Sequence, residues 1–186
     1  MFSKAIVRTP GKSLINGLTD SSHLGVPDYS QAIIQHQAYI EALKFCGLEV
    51  TVLESCEDYP DSTFVEDVAL ITPSCAIMTR PGAESRRGEV EHISSLLVSQ
   101  FKYLETIDAP GTIEAGDIMM VGSHFYIGLS DRTNIQGANQ LIALLEKYGY
   151  TGSTVELKDV LHLKTGLSYL ENNILAICGE FKSDPI

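Results

Sequence analysis

Acidic side chains are concentrated in two short segments that each lead into an apolar run. PDSTFVEDVAL, residues 60–70, contains Asp61, Glu66 and Asp67. APGTIEAGDIMMVG, residues 109–122, contains Glu114 and Asp117 just before an apolar stretch. Binding and catalytic groups are commonly presented by loops between regular elements. These carboxylates are therefore candidates for a polar binding site.

Basic side chains occupy comparable positions in two further segments. TRPGAESRRGE, residues 79–89, places Arg80, Arg86 and Arg87 around a Pro-Gly turn. HLKTGLSYL, residues 162–170, begins with His162 and continues into a predicted strand. A fifth polar segment, residues 10–29, is rich in Gly, Ser and Asp. The chain thus combines several carboxylates, a few arginines and one histidine in its loops.

This set of residue types favours one kind of ligand. Carboxylates held partly out of water attract a cation, and a planar guanidinium donates parallel hydrogen bonds to them. Neighbouring arginines would bind a carboxylate of the same ligand. An amino acid with a guanidinium side chain meets both requirements. The acids and arginines could equally pair with one another as salt bridges, and the residues alone leave both alternatives open.

The elements that must position these loops are three amphipathic helices and short strands. The helices are predicted over residues 29–46, 83–101 and 134–148. Asp28 is the expected N-cap of the first, and Thr133 with Gln136 forms a predicted capping box for the third. Strands are predicted over residues 5–8, 49–54, 68–71, 76–79, 102–107, 117–121, 125–129, 153–157, 166–170 and 174–178.

The strand and helix pattern repeats about every 50 residues. A strand-rich repeat cannot bury its own apolar face, and closed arrays remove open edges by completing a ring. Three units and the start of a fourth are present, so we expect 1–186 to be a single domain that lacks its closing C-terminal modules. An open edge would also permit a homodimer.

Composition excludes several classes of protein. The 13 basic and 24 acidic residues give a net charge of −11, which disfavours nucleic-acid binding. No apolar run approaches the ~18 residues of a membrane-spanning helix, and the N-terminus does not resemble a secretory signal. We therefore expect a cytoplasmic protein with no membrane partner.

The four cysteines show no metal-binding spacing. Cys46, Cys56, Cys75 and Cys178 form no C-x-x-C pair, so a zinc site is not predicted. Without a secretory signal, reduced thiols are expected. Each cysteine is interpreted as a small buried hydrophobe.

The segments LTDSSHLG, FVEDVAL, TRPGAESRRGE, APGTIEAGDIMMVG and HLKTGLSYL together resemble the bacterial dimethylarginine dimethylaminohydrolases. These enzymes belong to the pentein, or arginine deiminase-like, superfamily. The resemblance extends over essentially the whole chain, residues 2–181. It implies an α/β fold of the pentein type, a five-bladed α/β propeller of which about three and a half repeats are present. It also implies hydrolysis of methylated arginine to citrulline and dimethylamine, with no metal or cofactor.

The resemblance also implies a role for particular residues. Asp67, with Glu66 beside it, would bind the substrate guanidinium. Asp61 and the Leu18 carbonyl would hold its α-amino group. The remaining roles would fall to Arg86 and Arg132 at the α-carboxylate, to His162 as general acid and base, and to Glu114 as its partner.

The nucleophile is where the chain departs from the family pattern. The family uses a C-terminal cysteine that attacks the guanidinium carbon and forms a covalent thiouronium intermediate. None of the four cysteines lies in a matching motif, so we expect the nucleophile to lie beyond this chain and the 186 residues alone to be inactive. Two alternatives stay open: an arginine deiminase-type hydrolase and a non-catalytic, truncated arginine-binding paralogue.

Overall fold

Two units make up the chain, Met1–Val65 and Glu66–Ile186. The structure is a computed structural model that describes residues 2–182. Among these residues, none of the helices combines the length and the apolar character needed to cross a membrane.

The first unit is built on a parallel strand pair with one helix between its strands. β1 (Lys4–Arg8) pairs with β2 (Glu49–Leu53), and α1 (Tyr29–Phe45) lies between them in the sequence. Parallel strands require such a crossover. The carboxylate of Asp28 accepts the backbone N–H of Gln31, which confirms the predicted N-cap.

The second unit begins with a three-stranded sheet. β3 (Ala69–Ile71) pairs antiparallel with β4 (Ala76–Met78), and β4 pairs in parallel with β5 (Leu104–Thr106). α2 (Glu91–Gln100) connects the two parallel strands. The order is therefore strand, strand, helix, strand.

The same order recurs in the next sheet. β6 (Ile118–Val121) pairs antiparallel with β7 (His124–Leu129), which pairs in parallel with β8 (Thr151–Glu156) across α3 (Ile135–Glu146). These two sheets share the topology that the sequence repeat predicted.

The last described elements form a hairpin after a short helix. α4 (Leu163–Gly166) leads into β9 (Leu167–Tyr169), which pairs antiparallel with β10 (Leu175–Ile177). The mixed α/β class is thus confirmed, as several two- and three-stranded sheets, none of them closed. The five-bladed propeller, the count of three and a half repeats and the single domain stay predictions.

The main core of the second unit fixes the segment that carries Glu114 and Asp117. Ile113, Ala115 and Ile118 are buried in one cluster with residues of β7 and α3. The two acids stand between these apolar anchors in the sequence. Because protein interiors are closely packed, burial of the anchors restricts where the acids can point.

The predicted start of the second helix and the predicted N-cap of the third helix were wrong. Residues Glu84–Val90 form a 3-10 helix, and α2 begins only at Glu91. Side chains three residues apart eclipse in a 3-10 helix, which brings Arg86 and Glu89 together. The N-cap of α3 is Asn134 instead of Thr133, since the Thr133 hydroxyl donates to Asp117.

Candidate functional site

His162 is held at the start of α4 by the first turn of that helix. The Thr165 hydroxyl donates to the His162 carbonyl at 2.7 Å, and the Thr165 backbone N–H bonds to the same carbonyl at 3.0 Å. Leu163, the next residue, is fully buried. The His162 side chain is itself only 11% exposed, so its surroundings determine its chemistry.

The two ring nitrogens of His162 face two different carboxylates. Nε2 lies 3.5 Å from Oε2 of Glu114, and Nδ1 lies 3.2 Å from Oδ1 of Asp117. Both acids are completely buried. Glu114 immediately precedes the 3-10 turn Ala115–Asp117 and Asp117 is its last residue, so one short turn presents a carboxylate to each ring nitrogen.

Gly116 lets this turn approach the histidine closely. A Cβ at this position would lie 2.9 Å from two carbons of the His162 ring and 2.8 Å from Oδ1 of Asp67. The Gly116 backbone N–H donates to that same Asp67 oxygen at 2.9 Å. Because Gly116 has no side chain, Asp67 and His162 can both pack closely against its backbone.

Arg86 is committed to two buried carboxylates. Its Nη1 lies 2.6 Å from Oδ2 of Asp67, and its Nε and Nη2 donate to the two Glu89 oxygens at 3.0 and 2.8 Å. Burial lowers the pKa of Arg86, but Glu89 and Asp67 outweigh it and raise the pKa overall. The guanidinium is thus permanently charged and positions Asp67 directly.

Arg132 and the Pro-Gly turn reach the cluster from another side. Arg132 Nη1 lies 3.7 Å from Oε1 of Glu114, and the Ala83 backbone N–H donates to that oxygen at 3.0 Å. Gly82 lets the Pro-Gly turn pack against the backbone of Arg132, because a Cβ on residue 82 would overlap with the Arg132 carbonyl oxygen. Arg132 is only partly buried, which leaves it available to a ligand.

Two polar atoms in this cluster lack a hydrogen-bond partner among residues 2–182: Oε2 of Glu114 and Nδ1 of His162. Asp117 is close to Nδ1, but the ring N–H is not aligned with its oxygen. An unpaired buried polar group costs about 1–3 kcal/mol. Oε2 of Glu114 is therefore an acceptor in place for a donor that the described protein does not supply.

The pKa of His162 is set by opposing effects. Burial lowers it, but the nearby carboxylates of Asp117, Asp67 and Glu114 raise it by more, so the net shift is upward. The imidazolium is accordingly favoured over a wider pH range than in a free histidine. A group that holds a proton in this way can deliver it to a leaving group.

A metal ion is one occupant to consider. One ligand atom each from Asp67, Glu114 and His162 fall within 4.8 Å of one another. The Arg86 guanidinium already supplies positive charge there, 2.6 Å from Asp67 and 3.9 Å from Glu114. This charge partly neutralises the carboxylates that a metal ion would need as ligands.

The other predicted site residues make different contacts. Glu66 is exposed and pairs with Lys164, whereas its neighbour Asp67 is buried. Leu18 and Asp61 belong to the first unit, where the Leu18 backbone N–H donates to both Asp61 oxygens at 3.0 and 3.2 Å. The ligand-binding roles of all these residues stay predictions.

Sequence reasoning assigned no ligand-site role to Glu89 or Thr133, and it named Asp117 only as one of the loop carboxylates. Glu89 follows Arg86 by three residues, and this spacing could have revealed the pair. The structure shows that Asp117 faces His162. Thr133 joins the cluster by donating to Asp117 and accepting the Glu114 N–H, which no local pattern signals.

The cysteines only partly fit their interpretation as buried hydrophobes. Cys75 is buried, Cys56 is half-buried, and Cys46 and Cys178 are exposed. Burial raises the pKa of the Cys75 thiol, which makes it a poor nucleophile. Cys178 donates from Sγ to the Thr165 carbonyl at 3.3 Å.

Solved structures match this chain closely. A citrulline complex of a cysteine-to-serine variant of dimethylarginine dimethylaminohydrolase from Pseudomonas aeruginosa has a TM-score of 0.96 and 59% identity, and the match covers 100% of this chain and 73% of that one. The N-terminal domain of ArgZ, an arginine dihydrolase from cyanobacteria, has a TM-score of 0.82 at 17% identity, covering 91% and 64% of the two chains. The second match, at this low identity, shows a shared fold alone.

Sequence comparisons agree with the structural ones. Residues 27–182 match the family model described as N,N dimethylarginine dimethylhydrolase, eukaryotic. The chain is 60% identical to the N(G),N(G)-dimethylarginine dimethylaminohydrolase of Pseudomonas aeruginosa over all 186 residues, which is 73% of that relative's length. These matches do not support the expectation that the 186 residues alone are inactive. The chain belongs to the dimethylarginine dimethylaminohydrolase family.

Proposed function

We propose that this protein hydrolyses Nω,Nω-dimethylarginine to citrulline and dimethylamine. The observation that carries this proposal is the unpartnered Oε2 of Glu114, buried beside His162 and Asp67 in a member of this family. A substrate guanidinium would supply the missing donor and add its charge next to two carboxylates. The citrulline bound to the Pseudomonas relative is consistent with the proposed product.

The proposed binding roles follow the resemblance. Asp67 and Glu66 act on the guanidinium, and Asp61 with the Leu18 carbonyl acts on the α-amino group. Arg132, which is partly exposed, is placed at the α-carboxylate. Arg86 is proposed for the same carboxylate, although its present contacts are with Asp67 and Glu89.

The proposed reaction proceeds through a covalent cysteine adduct. A thiolate attacks the central guanidinium carbon, and the C–N bond to dimethylamine breaks as His162 donates its proton to the departing nitrogen. Neutral His162 then accepts one proton from the water that attacks the thiouronium carbon. The C–S bond breaks to release the thiolate, and the remaining hydroxyl proton passes to solvent as the carbonyl of citrulline forms. The cysteine-to-serine variant of the Pseudomonas relative supports a role for a cysteine in this family.

The proposed reaction uses neither a metal nor a cofactor. Its substrate is a small molecule. The cytoplasmic location also remains a proposal, supported by four unpaired thiols.

A turnover assay tests the proposal. The protein is incubated separately with dimethylarginine and with arginine, and citrulline, dimethylamine and ammonia are measured. We expect faster turnover of dimethylarginine. We also expect that His162→Ala lowers the rate by about 10²–10⁴-fold, because it removes the proton donor.

The exposed His92 provides the control, since His92→Ala should leave the rate unchanged. Faster release of ammonia from arginine would favour an arginine deiminase. Binding of either ligand with no turnover would favour a non-catalytic arginine-binding protein.

A further inference from the structure

We propose that Asp117 is the positioning residue of His162, holding the ring so that Nδ1 faces Asp117 and Nε2 faces Glu114. This role rests on the proposed function of His162 as the proton donor, and it deepens that function. Nδ1 lies 3.2 Å from Oδ1 of Asp117, and the carboxylate is fully buried. A base oriented by a third group is the usual arrangement behind an activated nucleophile.

Asp117 is itself held firmly by donors on both of its oxygens. The hydroxyls of Ser130 and Thr133 donate to Oδ2 at 2.7 and 2.6 Å, and the Leu163 backbone N–H donates to Oδ1 at 3.0 Å. The Leu163 contact ties the carboxylate to the residue that follows His162. Asp117 therefore fixes both the ring and the backbone that carries it.

The effect of Asp117 on the ring can be distinguished from the effects of the other acids by position. Asp117 faces Nδ1 and Glu114 faces Nε2, whereas Asp67 contacts Gly116, which also packs against the ring. The cations near the ring are Arg86 and Arg132, which pair with Glu114, and Lys164, which pairs with Glu66. Only Asp117 faces Nδ1 among these groups, so the tautomer of neutral His162 reports on it.

The tautomer explains why this contact matters for the proposed reaction. Oδ1 of Asp117 lies 3.2 Å from Nδ1, and a rotation of the ring that aligns the two atoms would hold a proton on Nδ1. Nε2 would then be the nitrogen that exchanges a proton on the Glu114 side. If the proton moved to Nε2, neutral His162 could not accept a proton from water there. Asp117 would thus select the reactive nitrogen, and Glu114 would stabilise its charged form.

The test is a nitrogen-15 nuclear magnetic resonance titration of the histidine rings in wild type and Asp117→Asn. The His162 signals are identified by their loss in His162→Ala. In wild type we expect neutral His162 to carry its proton on Nδ1. In Asp117→Asn we expect a lower His162 pKa and a loss of this preference, because the carboxylate is gone. The exposed Asp108 provides the control, and Asp108→Asn should change neither property.

Turnover provides a second measurement. Asp117→Asn should lower kcat by about 10- to 100-fold with little change in KM. An Nε2–H tautomer in wild type, or an unchanged His162 pKa in a folded Asp117→Asn, would overturn the proposal. The tautomer is measured in wild type, so it decides the matter even if Asp117→Asn does not fold. Neither spectroscopic result requires turnover, so a failure of the proposed function would be seen separately.

Discussion

Each ring nitrogen of His162 faces a different carboxylate, Glu114 at Nε2 and Asp117 at Nδ1. Single substitutions of these acids should therefore have different effects on the His162 pKa and on ligand binding. Glu114 contributes one oxygen to the Ala83 N–H and leaves the other open toward the ring. Asp67 is oriented by Arg86 and by the Gly116 N–H. The carboxylates of Glu114, Asp117 and Asp67 therefore lie close to the His162 ring.

Glu114→Gln tests the open oxygen directly. Its retained oxygen can still accept the Ala83 N–H, while an amide donor replaces the acceptor that faces His162. We expect a lower His162 pKa and about a tenfold or greater loss of dimethylarginine affinity, since charged hydrogen bonds contribute about 1.5–3 kcal/mol.

Calorimetric titration would measure the affinity of Glu114→Gln. The exposed Glu146 offers a matched control, because Glu146→Gln removes the same charge from a residue that is not part of the cluster. Equal losses in the two variants would mean that net charge, and not the position of Glu114, determines binding.

Gly116→Ala tests the close approach of the turn to the ring. The added methyl group would lie within 3 Å of both Asp67 and His162, so at least one of them must move. We expect a loss of stability of about 1–3 kcal/mol and a marked fall in turnover. Urea unfolding and the citrulline assay measure the two effects. Full activity in this variant would show that the turn is not tightly packed on the ring.

At the scale of single elements, helix starts position the polar loops. Asn134 caps α3 by accepting the Gly137 N–H at 2.8 Å, and the same oxygen accepts the Thr112 N–H at 3.0 Å. The cap therefore also anchors the segment that leads to Glu114. Thr133, displaced from the capping role, bonds to Asp117 instead.

Asn134→Ala should lower the free energy of unfolding by about 1–2 kcal/mol, because both accepted hydrogen bonds are lost. Gln136→Ala is the control, since Gln136 is exposed and was predicted to complete a capping box with Thr133. Denaturant unfolding compares the two variants. A larger effect from Gln136→Ala would favour the predicted box over the observed cap.

Local patterns predicted most elements but not the contacts among them. The first N-cap follows from the short-range preference of Asp28, and the strands follow from their content of Val, Thr, Leu and Ile. The 3-10 segment Glu84–Val90 was not predicted. Within it, Arg86 bonds to Asp67, which is 19 residues distant, so no local pattern shows this ion pair.

At the scale of the whole molecule, the raised His162 pKa links stability to pH. A group with a raised folded-state pKa stabilises the fold fully below its unfolded pKa, near ~6.5 for histidine. This contribution disappears as the pH rises through the folded-state value. Its loss should therefore begin near neutral pH.

Urea unfolding of wild type and His162→Ala at a series of pH values measures this effect. The stability difference between them should shrink as the pH rises above about 6.5. The packing lost with the ring adds a constant offset that does not alter this trend. A difference that grows with pH would mean that His162 is destabilised as a cation.

The repeat pattern anticipated the matching strand order of the two three-stranded sheets, while their closure into a propeller stays a prediction. The motif segments indicated the family and the acids of the site. They could not indicate that Glu66 would turn outward to Lys164 while Asp67 turned inward, since adjacent residues differ only in their three-dimensional surroundings.

The central claim is that the buried carboxylate cluster binds the guanidinium of a methylated arginine. Calorimetric titration of dimethylarginine into wild type, Asp67→Asn and the control Asp108→Asn tests it most directly, once circular dichroism has confirmed that each protein is folded. We predict about a tenfold or greater loss of affinity for Asp67→Asn and none for Asp108→Asn. An unaltered binding isotherm for folded Asp67→Asn would contradict the claim.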